Sequence, residues 1–144
     1  MTGLTADPLD LAALLVAVHD PEHGGVTSFL GSIRREDAIR PVVAIEYQAY
    51  EELTERELAA VAAEAASRFG AKVACVHRTG RVEVGEPSVA VAVSAPHRPA
   101  AFSACRYVID ELKVRAPIWK RMHYADGATE WIDGRDRVVG GRPA

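Results

Sequence analysis

The segment HRPAAFSACRYVIDELKVRAPIWKRMHYADGATEWI, residues 97–132, decides the fold class, because its periodicity changes at a proline. Apolar residues recur at helical spacing through its first half, which predicts a helix over 97–116 with one buried face. That stripe consists of Phe102, Cys105, Ile109 and Leu112. Pro117 ends the helix, and two short β-rich runs then flank Asp126-Gly127, a pair typical of a hairpin turn. A helix followed by a hairpin predicts a mixture of helices and antiparallel sheet.

Two further helices are predicted upstream of this segment. Asp7 followed by Pro8 is typical of an N-cap and a first helical position, which predicts a helix from there to about His19. A second helix is marked by a capping box, a pair of hydrophobic-staple leucines and a terminal glycine. These signals are Thr54 with Glu57, Leu53 with Leu58, and Gly70. We therefore expect the second helix to begin at its threonine cap.

Five β-rich runs surround these helices. They span residues 26–33, 42–50, 72–77, 81–84 and 88–95. The last is apolar on both faces, which is unlike an exposed edge strand. Together with the hairpin, this order predicts an α+β domain with a mainly antiparallel sheet and helices on one face. We expect residues 1–144 to form a single domain whose tail, from about 134, is flexible.

Composition and charge exclude several function classes. A net charge of −3 and a pI near 5.9 argue against a general nucleic-acid or membrane-surface binder. No apolar run approaches the roughly 20 residues of a membrane span. The first residues lack a secretory pattern, so we expect a cytoplasmic protein. Cys75 and Cys105 are predicted to be buried, reduced thiols, and the histidines have no partners at metal-ligand spacing, so we expect no metal or cofactor.

The segment 98–121 is rich in cations, which predicts an anionic ligand. Its six cations, Arg98, Arg106, Lys113, Arg115, Lys120 and Arg121, outnumber two acids, Asp110 and Glu111. After the turn at Pro117, Lys113 and Lys120 are close enough to reach one cavity. Lysines in such a site are suited to acid, base or nucleophilic roles. On spacing alone, two surface lysines with solvated head groups explain the pair equally well.

Two other places are suited to anions. His97 and Arg98 begin the third helix, where unpaired backbone N–H groups and the helix dipole attract negative charge. Arg34 follows Gly31 as the chain leaves a strand, and its guanidinium is suited to a phosphate. Each has a plain structural alternative, namely a capping histidine or a solvated arginine. The stretch 77–80 is explained as well by a strand-ending turn.

Five motifs, taken together, resemble the large, catalytic subunit family of molybdopterin synthase over residues 8–132. They are FLGSIR (29–34), IEYQAY (45–50), VHRTGRVEVGE (76–86), VSAPHRPAAF (93–102) and LKVRAPIWKR (112–121). The resemblance implies an α/β hammerhead fold with an additional small antiparallel sheet. It implies a sulfurtransferase that converts cyclic pyranopterin monophosphate to molybdopterin. It also implies two partners: a small ubiquitin-like subunit whose C-terminal Gly-Gly thiocarboxylate supplies the sulfur, and a second copy of the chain, as a homodimer within a heterotetramer.

The resemblance also implies roles for particular residues. Lys113 and Lys120 would form the catalytic pair, with Lys113 beside the thiocarboxylate and Lys120 beside the substrate. Arg34, His97 and Arg98 would bind the pterin and its phosphate.

Two positions depart from the family pattern. Met122 stands where the family commonly has an acid, and the loop RREDAIRPV, residues 34–42, is shorter and lacks the glycine often found there. The alternative is therefore a catalytically weak paralogue that docks the small subunit and regulates its supply. Gly140-Gly141 is followed by three more residues, so that tail does not itself present a terminal Gly-Gly.

Overall fold

The computed structural model describes residues 1–36 and 40–133, together with the backbone of 138–139. The elements are β1 Thr2–Thr5, α1 Leu11–Ala17, β2 Gly25–Ser32, β3 Val42–Ala49, α2 Glu51–Phe69, β4 Lys72–Arg78, β5 Gly80–Glu83, β6 Pro87–Ala95, α3 Arg98–Arg115, β7 Ile118–Tyr124, β8 Thr129–Ile132 and β9 Val138–Val139. Two sheets form, with strand orders β1-β4-β6-β2 and β5-β3-β7-β8-β9. Of the pairings described, β1 with β4 is parallel and the others are antiparallel. The predicted α+β class with an additional antiparallel sheet is confirmed.

The first sheet is centred on β6, which lies between β4 and β2 and is buried along almost its whole length. Val89, Val91 and Val93 face α2 and α3, because alternate side chains of a strand point to opposite faces. Ala90 and Ala92 face α1 on the other side. The prediction that the helices share one face is therefore wrong. A strand that is apolar on both faces needs a cover on each, and α1 supplies the second.

The second helix begins one turn earlier than its capping signal predicts. Its N-cap is Tyr50, which makes no side-chain capping bond, and Glu51 and Glu52 occupy the first turn, where the helix dipole favours acids. Thr54 is fully buried within the helix, and its Oγ1 lies 3.5 Å from the Pro117 carbonyl oxygen. The predicted capping box is therefore wrong, because tertiary packing uses the threonine. Gly70 ends the helix in the left-handed conformation, as predicted.

The start of the first helix also differs from the prediction. Asp10, rather than Asp7, is the N-cap, and its Oδ1 accepts a hydrogen bond of 3.1 Å from the backbone N–H of Ala13. Strand β1 is absent from the prediction because TGLT offers no alternating pattern, and its pairing with β4 supplies the order that its own sequence lacks. The predicted flexible tail, with Gly140-Gly141, lies outside the described residues apart from the backbone of 138–139.

The third helix has nearly its predicted limits but a different buried face. Phe102 is 65% exposed, so the predicted stripe is wrong at that position. The buried positions are Ala101, Ala104, Cys105, Val108 and Leu112. Small residues let the helix approach the valines of β6 closely, whereas a phenylalanine would hold it away. Phe102, the largest apolar residue in the first turns of α3, is therefore exposed while the neighbouring alanines are buried.

The second sheet has one packed face, which positions part of the site. Ile118, Met122 and Tyr124 alternate along β7 and pack with Ile45 and Val82 of the neighbouring strands. The predicted hairpin is confirmed, with Gly127 at φ 87° in its turn. This residue needs glycine, because other side chains rarely adopt that conformation. No helix among the described residues has both the length and the apolar character that a membrane crossing requires.

Candidate active site

An open cavity of about 530 Å³ lies where the end of β2, the packed face of the second sheet and the end of α3 meet. Its polar lining consists of Ser32, Arg34, Glu36, Tyr47, Ser88, Lys113, Lys120 and Glu130. The rest of its lining is mainly aliphatic. A cavity of this size and composition is typical of a site for a small organic ligand with anionic groups.

A second, narrow cavity of about 30 Å³ shares part of this lining. Tyr47, Lys113 and Lys120 line both cavities. The narrow cavity adds His77 and a mainly aliphatic wall that includes Leu58. Its volume is enough for one or two water molecules. The two lysines therefore stand at the junction of a wide polar space and a narrow apolar one.

The turn between α3 and β7 brings the lysines together. Lys113 lies in the last turn of α3 and is exposed, whereas Lys120 is half-buried on β7. Lys120 shares the packed face of its strand with Ile118 and Met122, since the three alternate along β7. The carbonyl oxygen of Pro117 accepts a hydrogen bond of 3.3 Å from the backbone N–H of Tyr50, which ties the turn to the start of α2.

The other cations of this segment are used elsewhere. Arg115 bonds Glu57 at 2.9 Å and also bonds Glu64, so it joins α3 to α2. Its hydrogen bond and charge hold the pKa of the Glu64 carboxyl below its usual range. Arg106 pairs with Asp110 within α3, and Arg121 lies 4.0 Å from Glu46 on the outer face of the second sheet. The six cations thus do not form one basic patch, and Lys113 and Lys120 are the two that reach the cavities.

Arg34 lines the open cavity with the lysines, whereas His97 and Arg98 do not. Arg98 begins α3 and Lys113 is near its end, so their backbones are roughly 22 Å apart at 1.5 Å per residue. His97 and Arg98 are both exposed. Within a single chain, the structure therefore brings together three of the five predicted site residues. Gly31 also lines the cavity, but its close approach is to Val89, whose Cγ1 would lie 2.7 Å from an added Cβ.

Four site residues escaped the sequence analysis. They are Glu36, Tyr47, Ser88 and Glu130, whereas His77 was considered only within a stretch that a strand-ending turn explains as well. The Tyr47 hydroxyl donates to Ser88 Oγ at 3.1 Å, and Ser88 Oγ donates to the Gly31 carbonyl oxygen at 3.3 Å. Strand alternation with Ile45 signals that Tyr47 faces inward. Glu130 follows from the hairpin, because the turn at Asp126-Gly127 sets the register that aligns Met122 with it.

Met122 and Glu130 are directly paired across β7 and β8, and both line the open cavity. Met122 is buried in the apolar cluster of the second sheet. Glu130 Oε2 accepts a hydrogen bond of 2.8 Å from the Tyr124 hydroxyl. The wall of the open cavity therefore contains the carboxylate of Glu130, which lies on β8 directly across from Met122 on β7.

His77 is held as a neutral ring. Burial first, and then the positive charges of Lys113 and Lys120, lower its pKa to about 4, although a hydrogen bond to Arg78 opposes the shift. Its Nδ1 lies 2.7 Å from the Arg78 carbonyl oxygen, and the ring meets Tyr47 edge to face with centroids 4.9 Å apart. An uncharged histidine beside two ammonium groups adds a polar atom without adding repulsion.

Other reactive side chains of the described chain lie apart from this site. Cys75 and Cys105 are buried and free, as predicted, and burial raises the pKa of the Cys75 thiol to about 12, which leaves it unreactive at neutral pH. Among residues 1–36 and 40–133, no group of three histidines, cysteines or acids is placed to hold a metal ion.

The fold and the site together define a class: an α+β domain with a lysine pair at the mouth of a ligand cavity. The family model described as MoaE protein matches residues 4–115. A molybdopterin synthase catalytic subunit from Nostoc is 43% identical over 132 residues, which are 90% of this chain and 80% of that protein. The crystal structure of molybdopterin synthase from Staphylococcus aureus matches with a TM-score of 0.86 at 28% identity, covering 90% of this chain and 94% of that one. A Burkholderia ambifaria MoaE structure matches with a TM-score of 0.79 at 37% identity, covering 93% and 89%. The chain belongs to the MoaE protein family.

Proposed function

We propose that this chain is the catalytic subunit of a molybdopterin synthase. It is a sulfurtransferase that converts cyclic pyranopterin monophosphate to molybdopterin, with two sulfurs from the C-terminal thiocarboxylate of a small ubiquitin-like subunit. The observation that carries the proposal is the meeting of Lys113 and Lys120 at the junction of two cavities, in a chain of the MoaE family. The reaction takes place in the cytoplasm.

The open cavity is suited to the pterin substrate. Its volume of about 530 Å³ falls within the range of ordinary small-molecule sites. Arg34 offers a planar guanidinium for the cyclic phosphate, and Lys120 lies deeper in the same space. Aliphatic side chains such as Ile45 and Met122 supply a flat apolar wall for a ring system.

The proposed entry for the sulfur donor is the solvent-exposed end of α3. Lys113 is exposed at the end of α3, so a flexible tail arriving from solvent meets its ammonium before it meets Lys120. A thiocarboxylate is an anion, and it gains from a positive charge in a partly dehydrated site. The two lysines thus divide the work, one facing the donor and one facing the substrate.

This arrangement favours the transition states of sulfur transfer. Negative charge develops as the sulfur attacks and as water leaves, and fixed ammonium groups stabilise that charge. One lysine also acts as the general acid or base during transfer and during hydrolysis of the acyl intermediate. The presence of both lysines in the lining of both cavities supports either of them in this role.

His97 and Arg98 belong to the proposal through the homodimer. They lie at the far end of α3 from the lysines, too distant to share a cavity within one chain. In a homodimer, these residues of one copy can face the cavity of the other and contact the pterin phosphate. A symmetric pair of sites would result, each completed by both copies.

The proposal is tested by single-turnover conversion of cyclic pyranopterin monophosphate, with a thiocarboxylated small subunit as the donor. Lys113→Ala and Lys120→Ala are each expected to lower the rate by about 100-fold or more, the usual size of a general acid–base contribution. Arg106→Ala is the matched control, because it removes a cation of the same helix that pairs with Asp110 away from the cavities. Its rate is expected to stay within about twofold of wild type.

Two results would overturn the catalytic assignment. If the native chain binds the small subunit tightly and yields no molybdopterin, the chain is a docking paralogue. If both lysine variants keep the native rate, the site lies elsewhere.

A further inference from the structure

We propose that His77 is a positioning residue: its Nε2 accepts a hydrogen bond from a water that the ammonium of Lys113 also binds, and this bridge holds that ammonium at the junction of the cavities. The hydrogen bond is a property of the folded chain alone. Its effect on turnover rests on the proposed function.

The tautomer of His77 follows from its surroundings. A carbonyl oxygen accepts hydrogen bonds and never donates them, so the 2.7 Å contact with the Arg78 carbonyl oxygen places the proton on Nδ1. The neutral ring then has no proton on Nε2, which is left as an acceptor. The ring is 8% exposed and is held edge to face against Tyr47, so it has little freedom to turn.

The narrow cavity offers few side-chain donors to that acceptor. Its lining is largely aliphatic, and the Tyr47 hydroxyl already donates to Ser88. Among the residues that line this cavity, Lys113 and Lys120 are the other side-chain donors, and each ammonium has three N–H groups to offer. A volume of about 30 Å³ also admits a water that bridges the ring and an ammonium.

Lys113 is the better partner of the two. After burial, its charge lowers the pKa of His77 more than that of Lys120 does, which is the order expected if Lys113 is the nearer cation. Both lysines line both cavities, but Lys113 belongs to the end of α3, whose Leu112 and Ala116 form part of the wall of the narrow cavity that also contains His77. An ammonium on a four-carbon stem has many rotamers, so an acceptor buried beside it selects the few that point into the site.

The hydrogen bond is tested first by NMR on the full chain with ¹⁵N-labelled histidine. We expect the His77 ring to be the neutral tautomer with its proton on Nδ1. Lys113→Met, which keeps the length of the stem, should shift the Nε2 resonance, and Lys120→Met should shift it less. A proton on Nε2, or an Nε2 resonance that Lys113→Met leaves in place, would overturn the proposal.

The consequence for turnover is tested with two replacements of His77. His77→Phe keeps a ring against Tyr47 but offers no acceptor, so the single-turnover rate should fall about tenfold or more. His77→Gln keeps an acceptor near the position of Nε2 and should recover most of the rate. Affinity for the small subunit and thermal unfolding are measured for both variants, and neither is expected to account for the difference.

The outcomes separate the two proposals. An equal loss of rate in the Phe and Gln variants would contradict the positioning role. A native chain that makes no molybdopterin, yet shows the Lys113-dependent shift of Nε2, would overturn the proposed function and leave the hydrogen bond standing.

Discussion

The two sheets of this chain use their inward faces differently. In the first, β6 has Val91 on one face and Ala92 on the other, and both are fully buried against helices. In the second, β7 places Lys120 on the same face as Ile118 and Met122, beside an open cavity. The first sheet therefore contributes mainly to stability, whereas the second has a charged side chain, Lys120, within its otherwise apolar face. The changes below are ways to break or sharpen that contrast.

The largest effect is expected from placing a charge in the buried strand β6 and removing the charge of Lys120 from β7. Val91→Asp should unfold the chain, because an isolated carboxylate buried there costs more than about 4 kcal/mol. Lys120→Met should leave the chain folded, since methionine matches the apolar stem of a half-buried side chain beside an open cavity, while the single-turnover rate falls about 100-fold. Urea denaturation and the single-turnover assay measure the two quantities.

Lys72→Met is the control for that comparison. Lys72 is a lysine of the first sheet whose ammonium pairs with Asp20 at 3.1 Å, away from both cavities. Its loss should leave the rate intact. A stably folded Val91→Asp variant, or a Lys120→Met variant that unfolds, would erase the distinction between the sheets.

A smaller effect is expected from acid. Burial is the main cause that lowers the pKa of His77 to about 4 in the folded chain, whereas in the unfolded chain the same ring has the ordinary histidine pKa of about 6.5. The unfolded state therefore binds a proton first as the pH falls. The contribution of this ring to stability is complete above pH 6.5 and is lost towards pH 4, by about 3 kcal/mol in all.

His77→Gln removes that titration. The difference between the unfolding free energies of wild type and variant, measured in urea from pH 7 to pH 4, should therefore change with pH. Parallel curves for the two proteins would show that the ring does not stay neutral in the folded state.

The smallest effect is expected for Arg115, a close neighbour of Lys113 in the sequence. Arg115→Met removes the ion pairs with Glu57 and Glu64 that join α3 to α2. The melting temperature should fall by a few degrees, roughly as for other partly exposed ion pairs. The single-turnover rate should stay within about twofold of wild type. A loss of rate like that of Lys113→Ala would mean that the helix end, rather than the lysine itself, sets activity.

Much of the fold was predictable because its signals are local. The limits of α3, the stop at Gly70 and the hairpin at Gly127 all depend on backbone preferences written into a few residues. Where tertiary contacts decide, the prediction was wrong. Thr54 does not cap α2 but lies buried within it. Phe102 is exposed because alanines pack more closely against β6.

The site was less predictable than the fold, since it depends on which cations remain once ion pairs have formed. Charge counting treats Arg115 and Lys113 alike, yet one bonds acids on α2 and the other lines a cavity. His77 looked like part of a turn, because its role depends on the distant ends of α3 and β7. The family resemblance named the lysines, and the structure adds the neighbours that surround them.

The tie between Pro117 and the start of α2 has an evolutionary consequence. Seven positions separate Lys113 from Lys120, and the carbonyl of Pro117 is fixed midway by Tyr50. Adding or deleting one residue after that anchor would reverse the parity of β7, turning Lys120 to the outer face and Arg121 to the inner one. An insertion in a surface loop leaves that parity unchanged, so evolution is expected to constrain the spacing of the two lysines more tightly than the length of such a loop.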